Sequence, residues 1–291
     1  MFSPVGLQWV RNQVGRPGRG RSFLPVSSAK CSRKMLAQNR LCFAMLLLAS
    51  LLPEVCQARA VLASTPIART DLAWWRDRHE HKVREILEAK PELIFLGDSI
   101  TQDWELSGPP IWRDFAAVWQ KYYGDRHAVN LGFKGDTTAS LLWRIQNGEV
   151  SHIAPKAAVL LIGANNLGKV HWSAEATVAG IDAIIRDLHH RLPATKILLV
   201  GILPSERSAW VTETTVQINA SLRDRYSSDH LVTYLDVGGL FMRAGKLDRA
   251  LFLDPMLTPP DPPLHPSAQG QALIAKAIEP TLAAMLGDRQ H

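Results

Sequence analysis

The stretch "LIFLGDSITQDW", residues 93–104, decides how the chain is read. Leu93, Ile94, Phe95 and Leu96 run without a break into Gly97, Asp98 and Ser99. A short, unalternating apolar run is what a strand buried on both faces looks like. Gly, Asp and Ser then suit a turn, and turn chemistry alone accounts for all three. The Ser99 hydroxyl gains meaning only if other reactive groups gather at the same end of the sheet.

Further apolar runs occupy residues 128–131, 158–162, 196–200 and 231–235, each short and rich in Leu, Ile or Val. Helical periodicity separates them. One helix starts after Ser173, an expected N-cap, with Ile181, Ile185, Leu188 and Leu192 on one stripe. The last spans about residues 267–286, with Leu273, Ala277 and Met285 among its apolar positions. Strand–helix alternation predicts an α/β fold: a five-stranded parallel sheet with helices on both faces. The loosest stretch is "DPMLTPPDPPLHPS", residues 254–267, whose six prolines can continue neither a helix nor a central strand.

Charge is unevenly placed. Residues 1–60 hold nine Lys or Arg and one acid, Glu54, for a charge of +8. The whole chain carries +6, so residues 61–291 carry −2. The basic character belongs to the N-terminal segment and gives no reason to expect a nucleic-acid partner. That segment reads as an export leader: Arg33, Lys34 and Arg40 precede the apolar run "LCFAMLLLASLL", and Ala58-Arg59-Ala60 forms an A-x-A cleavage signal. The expectation is a basic leader over residues 1–60, with Met35 as a plausible true start, cleavage after Ala60, and one domain over residues 61–291. The protein would be secreted or periplasmic and meet a membrane only through the leader. Retention of the apolar run as an anchor is the alternative. Cys31, Cys42 and Cys56 all precede the cut, so the mature chain has no disulfide, thiol nucleophile or cysteine metal site.

Ligands in open parallel sheets bind beyond the carboxyl ends of the strands. What stands there is "GDSIT" with Ser99, "NLGFKGDTT" with Gly135 and Asp136, and "GANN" with Asn165 and Asn166. His265 stands in "LHPS", ahead of the last helix. A hydroxyl, a glycine amide, a carboxamide and an imidazole are the parts needed for acyl transfer.

These four blocks, in this order, resemble the SGNH, or GDSL, family of serine esterases and lipases. The likeness covers about residues 70–286. The words "FLGDSITQDW", "NLGFKGDTTASLLWRIQNGE" and "PKAAVLLIGANNLG" resemble its platelet-activating-factor acetylhydrolase catalytic-subunit branch. The resemblance implies a three-layer α/β/α, flavodoxin-like sheet and a hydrolase that needs no cofactor or metal. It implies Ser99 as nucleophile and His265 as base. The backbone N–H groups of Ser99 and Gly135 and the Asn165 side-chain amide would form the oxyanion hole. The family usually places an aspartate three residues before the histidine; here Pro262 holds that place and Asp261 stands one residue earlier. Asp261 is therefore the expected third triad member, with Asp254 as a weaker substitute. The implied substrate is a small acyl ester or an acylated polysaccharide, short acyl groups above all, as for a carbohydrate O-acetylesterase. A lysophospholipase or thioesterase is the alternative within the enzymes. A non-catalytic polysaccharide-binding relative is the alternative outside them.

Other residues read more plainly. Asp98 is expected to hold the turn, Asp136 to cap the next helix, and Asn166 to cap or orient a loop. His79 and His81 lie two apart on a helix and do not face each other, so they are expected on the solvated surface. His189 and His190 close a helix, where positive charge suits the dipole. Trp104, Trp112 and Trp143 read as core, whereas Trp172 and Trp210 could flank a substrate.

Overall fold

Five strands form one parallel sheet: β1 (Leu93–Gly97), β2 (Ala128–Gly132), β3 (Ala157–Leu161), β4 (Lys196–Val200) and β5 (Val232–Leu235). Their order is β2-β1-β3-β4-β5, the flavodoxin-like arrangement. The five apolar runs match them to within one residue at either end. A computed structural model describes residues 61–291 apart from 109, 110, 112 and 113. The expected leader and cleavage signal, all three cysteines and Trp112 lie outside the described residues.

The helices are α1 (Ala73–Ala89), α2 (Ser99–Gln102), α3 (Phe115–Tyr123), α4 (Thr138–Arg144), α5 (Ala164–Gly168), α6 (Ala174–Arg191), α7 (Ala209–Arg225) and α8 (Ala268–Leu286). From β1 to β2 the chain steps toward one edge of the sheet; every later strand steps toward the other. Right-handed crossovers therefore put α3 on one face and α4, α6 and α7 on the opposite one. Helix α8 packs on α3, β3 and β4, completing the first layer. Both faces are thus covered, and all five residues of β1 and of β3 are buried. Each fully buried Leu or Ile in these strands contributes roughly 1.5–3 kcal/mol.

The helix signals also hold. Ser173 Oγ accepts from the Ala176 amide at the start of α6, and His189 and His190 occupy its last turn. Ser267 caps α8 in the same way. The buried stripe of α8 includes Ile274, Ile278, Leu282 and Leu286; Leu273, Ala277 and Met285, each one residue from a member of it, are only partly buried.

A buried ion network ties the sheet to the loops above it. Arg144, with no exposed surface, donates from Nε to Asp136 Oδ2 at 2.8 Å, from Nη2 to the Gly97 carbonyl at 3.2 Å and from Nη1 to the Leu131 carbonyl at 3.1 Å. It also pairs with Glu149. Asp136 takes further bonds from Trp75 Nε1 at 2.7 Å and Arg69 Nη1 at 2.9 Å. Burial raises the pKa of the Asp136 carboxyl, and Arg144, Trp75 and Arg69 oppose the rise. Asp136 therefore does not cap α4, whose N-cap is Thr137. Asn166 does the satisfying instead, accepting from the Thr138 amide at 3.0 Å.

His79 departs from expectation. It is buried, not solvated, with Nδ1 2.9 Å from Glu149 Oε1 and Nε2 3.1 Å from the Asn147 carbonyl. His81 on the same helix is exposed. Replacing the network's centre tests its weight. Arg144→Met leaves Asp136 and Glu149 buried without their guanidinium, and is expected to destabilise the fold by about 3–5 kcal/mol. Urea unfolding of the variant beside the native protein measures it.

Candidate active site

The turn after β1 is tight. A Cβ on Gly97 would lie 2.4 Å from the Leu161 carbonyl and 2.1 Å from Thr101 Oγ1, so no side chain fits where the strand passes into α2. Helix α2 begins at Ser99, two residues past the strand end. Asp98 is its N-cap: Oδ1 accepts from the Ile100 amide at 3.0 Å. Asp98 thus holds the turn, as expected of it. Burial pushes its pKa up to about 7, with the Asp136 and Asp103 carboxylates adding; the Ile100 amide and His265 oppose the shift.

The hydroxyl that results lies 2.9 Å from His265 Nε2. On the far side of the ring, His265 Nδ1 lies 2.6 Å from Asp254 Oδ1. A carboxylate only accepts hydrogen bonds, so the proton belongs on Nδ1 and the Nε2 lone pair faces Ser99. Asp254 Oδ2 in turn accepts from the backbone amides of Leu264 at 2.8 Å and His265 at 2.6 Å. Three donors therefore fix this carboxylate.

Asp254, not Asp261, is the partner of the histidine. The reason lies in how the proline-rich stretch folds. Leu253 N donates to the His265 carbonyl, Ser267 N to the Leu251 carbonyl, and Phe252 bridges Pro266 in antiparallel fashion. Residues 251–254 thus run alongside 264–267, and the residues between are pinched off as an excursion. The pairing sets Asp254 against His265. Asp261 is carried into the excursion, where it is exposed at the cavity wall.

The charges respond to this geometry. Burial pulls the His265 pKa down, but the Asp254 bond and charge, joined by Asp103 and Asp98, more than offset it, and the net shift is upward. Burial raises Asp254, but His265 and the two amides hold it below the usual carboxylate range.

Gly135 and Asn165 stand on the same rim. Gly135 has φ +77°, a conformation suited to glycine. Its absent side chain leaves room for Lys169 Nζ, which a Cβ would approach to 2.6 Å. Asn165, in α5 beyond β3, is buried and donates Nδ2 to the Asp136 carbonyl at 3.0 Å. Ser99, Gly135, Asn165 and His265 all line one cavity of about 440 Å³. Its apolar wall is Leu106, Leu253, Leu257 and Leu264. Trp172 and Trp210 are not in that wall; the Trp210 ring packs 5.5 Å from that of His171. Trp104 is core as expected, and Trp143 is half-buried. Three polar wall residues, Asp103, Lys134 and Lys169, were not singled out by the sequence. The nearest signal for Asp103 was its place one helical turn beyond Ser99.

A hydroxyl, an imidazole and a carboxylate are thus bonded in series on the carboxyl rim of a flavodoxin-like sheet. The chain belongs to the GDSL-like Lipase/Acylhydrolase family, whose model matches residues 95–273, and it is an ester-bond hydrolase. It is 29% identical to the platelet-activating factor acetylhydrolase IB subunit alpha2 of Rattus norvegicus over 228 residues, which cover 77% of this chain and 91% of that one. The alpha1 subunit of Homo sapiens is 28% identical over 218 residues, 74% of this chain and 86% of its own. Among solved structures, a carbohydrate acetylesterase family member from Sinorhizobium meliloti shares the fold with a TM-score of 0.51 and 20% identity, covering 67% of this chain and 98% of that one. A GDSL-like lipase from Bacteroides thetaiotaomicron does so with a TM-score of 0.52 and 14% identity, covering 68% and 90%.

Proposed function

We propose that this hydrolase removes acetyl groups from hydroxyls of a carbohydrate by a Ser99–His265–Asp254 acyl-enzyme mechanism. The observation that carries the mechanism is the unbroken series Ser99 Oγ–His265 Nε2, 2.9 Å, and His265 Nδ1–Asp254 Oδ1, 2.6 Å. Ser99 Oγ attacks the ester carbonyl while His265 Nε2 takes its proton. The negative charge that forms on the carbonyl oxygen is met by the Ser99 and Gly135 amides and the Asn165 carboxamide. One such donor lowers the barrier by roughly 2.7–4 kcal/mol. The C–O bond to the alcohol breaks, and His265 returns the proton to the leaving oxygen. Water, deprotonated by the same ring, then attacks the acyl-serine; acetate leaves and Ser99 regains its proton.

The acetyl assignment draws on the names of the relatives, which are acetylhydrolases. The carbohydrate assignment draws on the charged groups that break the apolar wall, Asp103, Lys134 and Lys169. A long acyl chain would have to lie against them without satisfying them. The leader supports export to the periplasm or beyond. A fluorophosphonate probe tests the mechanism: it is expected to form one adduct, on Ser99, and to abolish turnover of p-nitrophenyl acetate in proportion. An adduct elsewhere, with Ser99 unmodified, would sink it.

A further inference from the structure

Asp103 is the one wall residue whose chemistry the mechanism leaves unused while its position is next to the nucleophile. Its amide donates to the Ser99 carbonyl, so it lies one helical turn beyond the reactive hydroxyl. Its side chain is only 4% exposed, yet it lines the cavity. Oδ1 finds no hydrogen-bond donor among the described residues. The Lys134 ammonium stands 4.0 Å away from it, too far for a hydrogen bond. Lys134 is held from behind: its amide donates to Gln102 Oε1 at 2.7 Å, and its carbonyl accepts from Arg69 at 2.8 Å. Lys134 also precedes Gly135 directly, and the two charged residues line the same cavity as Ser99 and Gly135.

The geometry points to Asp103 and Lys134 as a subsite that reads a free hydroxyl on the alcohol half of the ester, next to the acetylated position. A carboxylate accepts only and an ammonium donates only. A group that bonds both side chains must therefore donate to the carboxylate and accept from the ammonium. A sugar hydroxyl does both. A methylene, an aromatic ring or an ether oxygen would cover the cavity-facing side of the Asp103 carboxylate without giving it a donor, which is penalised more heavily than a missing attraction. This subsite deepens the carbohydrate reading above and rests on it. It also implies an order of recognition: the enzyme works best on singly acetylated units whose neighbouring hydroxyl is free.

The test compares two esters, methyl β-xyloside carrying one O-acetyl group with its neighbouring hydroxyl free, and the deoxy analogue lacking that hydroxyl. The native protein is expected to favour the first in kcat/KM by about tenfold to a hundredfold, the range of a hydrogen bond to a charged group. Asp103→Leu and Lys134→Met are each expected to bring that ratio toward one, chiefly through KM. Lys134 is exposed, so its variant folds and decides the matter should Asp103→Leu fail to fold. A native ratio near one, or a ratio that survives in the folded variants, overturns the subsite and leaves the esterase reading standing. No turnover of either sugar ester or of p-nitrophenyl acetate by the native protein overturns the esterase reading and the subsite together.

Discussion

Ser99→Ala is expected to lower kcat for ester hydrolysis by about 10⁶, the loss seen when a triad nucleophile is removed alone. The size follows from the chemistry. Without Oγ there is no acyl-serine, and His265 has no proton to accept from the protein. What remains is water attacking an ester held against the Gly135 and Asn165 donors. The fold should hardly notice. Ser99 begins a helix where alanine is well tolerated, and its side chain makes one hydrogen bond, to a ring that keeps a quarter of its surface exposed. Loss of that bond is worth about 1 kcal/mol. Turnover of p-nitrophenyl acetate and a thermal unfolding curve, on the same preparation, separate the two effects. A variant that retained a substantial fraction of native turnover, with its unfolding curve unchanged, would place the nucleophile elsewhere.

The sheet was legible because parallel strands covered on both faces leave unbroken apolar runs, and few other folded segments of that length do. The rim residues were legible for a related reason. Once Leu93–Gly97 and Ala157–Leu161 are strands, Ser99 and Asn165 must emerge at the same end of a parallel sheet. What stayed hidden depends on pairing across distance. His79 was expected on the surface because His81, two residues on, does not face it and no other partner stands nearby in sequence. Its partner Glu149 lies 70 residues away. Arg144 sits inside a family-like stretch, yet nothing local says that its guanidinium ends under the Gly97 and Leu131 carbonyls. Each of these buried charges is tolerable only because its counter-charge arrives from another element. Sequence displays the charge but not the arrival. Trp210 shows the converse: its place shortly after a strand suggested the rim, but it falls in the first turn of α7, where its ring packs against His171 instead.

The histidine partner is the sharpest such case, because two aspartates competed for one role. Counting back from His265 favours Asp261. That count presumes the family's short turn, and the excursion of residues 255–263 replaces it. Antiparallel pairing of 251–254 with 264–267 restores the geometry by another route, bringing in an aspartate eleven residues away. Asp254→Asn is accordingly expected to reduce kcat by about 10⁴, as when a triad aspartate becomes an amide. The cause is the tautomer. The Leu264 and His265 amides demand an acceptor, so the asparagine oxygen stays with them and its NH₂ group turns to the ring. His265 Nδ1 must then present its lone pair, the proton moves to Nε2, and the ring can no longer take the proton of Ser99. The pH profile should move as well. His265 acts as a base only when neutral, and its pKa lies above the ordinary 6.5 because Asp254 outweighs burial. The native acid limb of kcat/KM should therefore have its midpoint above that value, with activity gained as pH rises through it. In Asp254→Asn the carboxylate is gone and burial remains, so the midpoint of the residual activity should fall. Asp261→Asn leaves the ring's partner in place, and its limb should coincide with the native one. Profiles of the three proteins across the neutral range decide between the aspartates: a shifted limb in the Asp261 variant, with a native one in the Asp254 variant, would reverse the assignment.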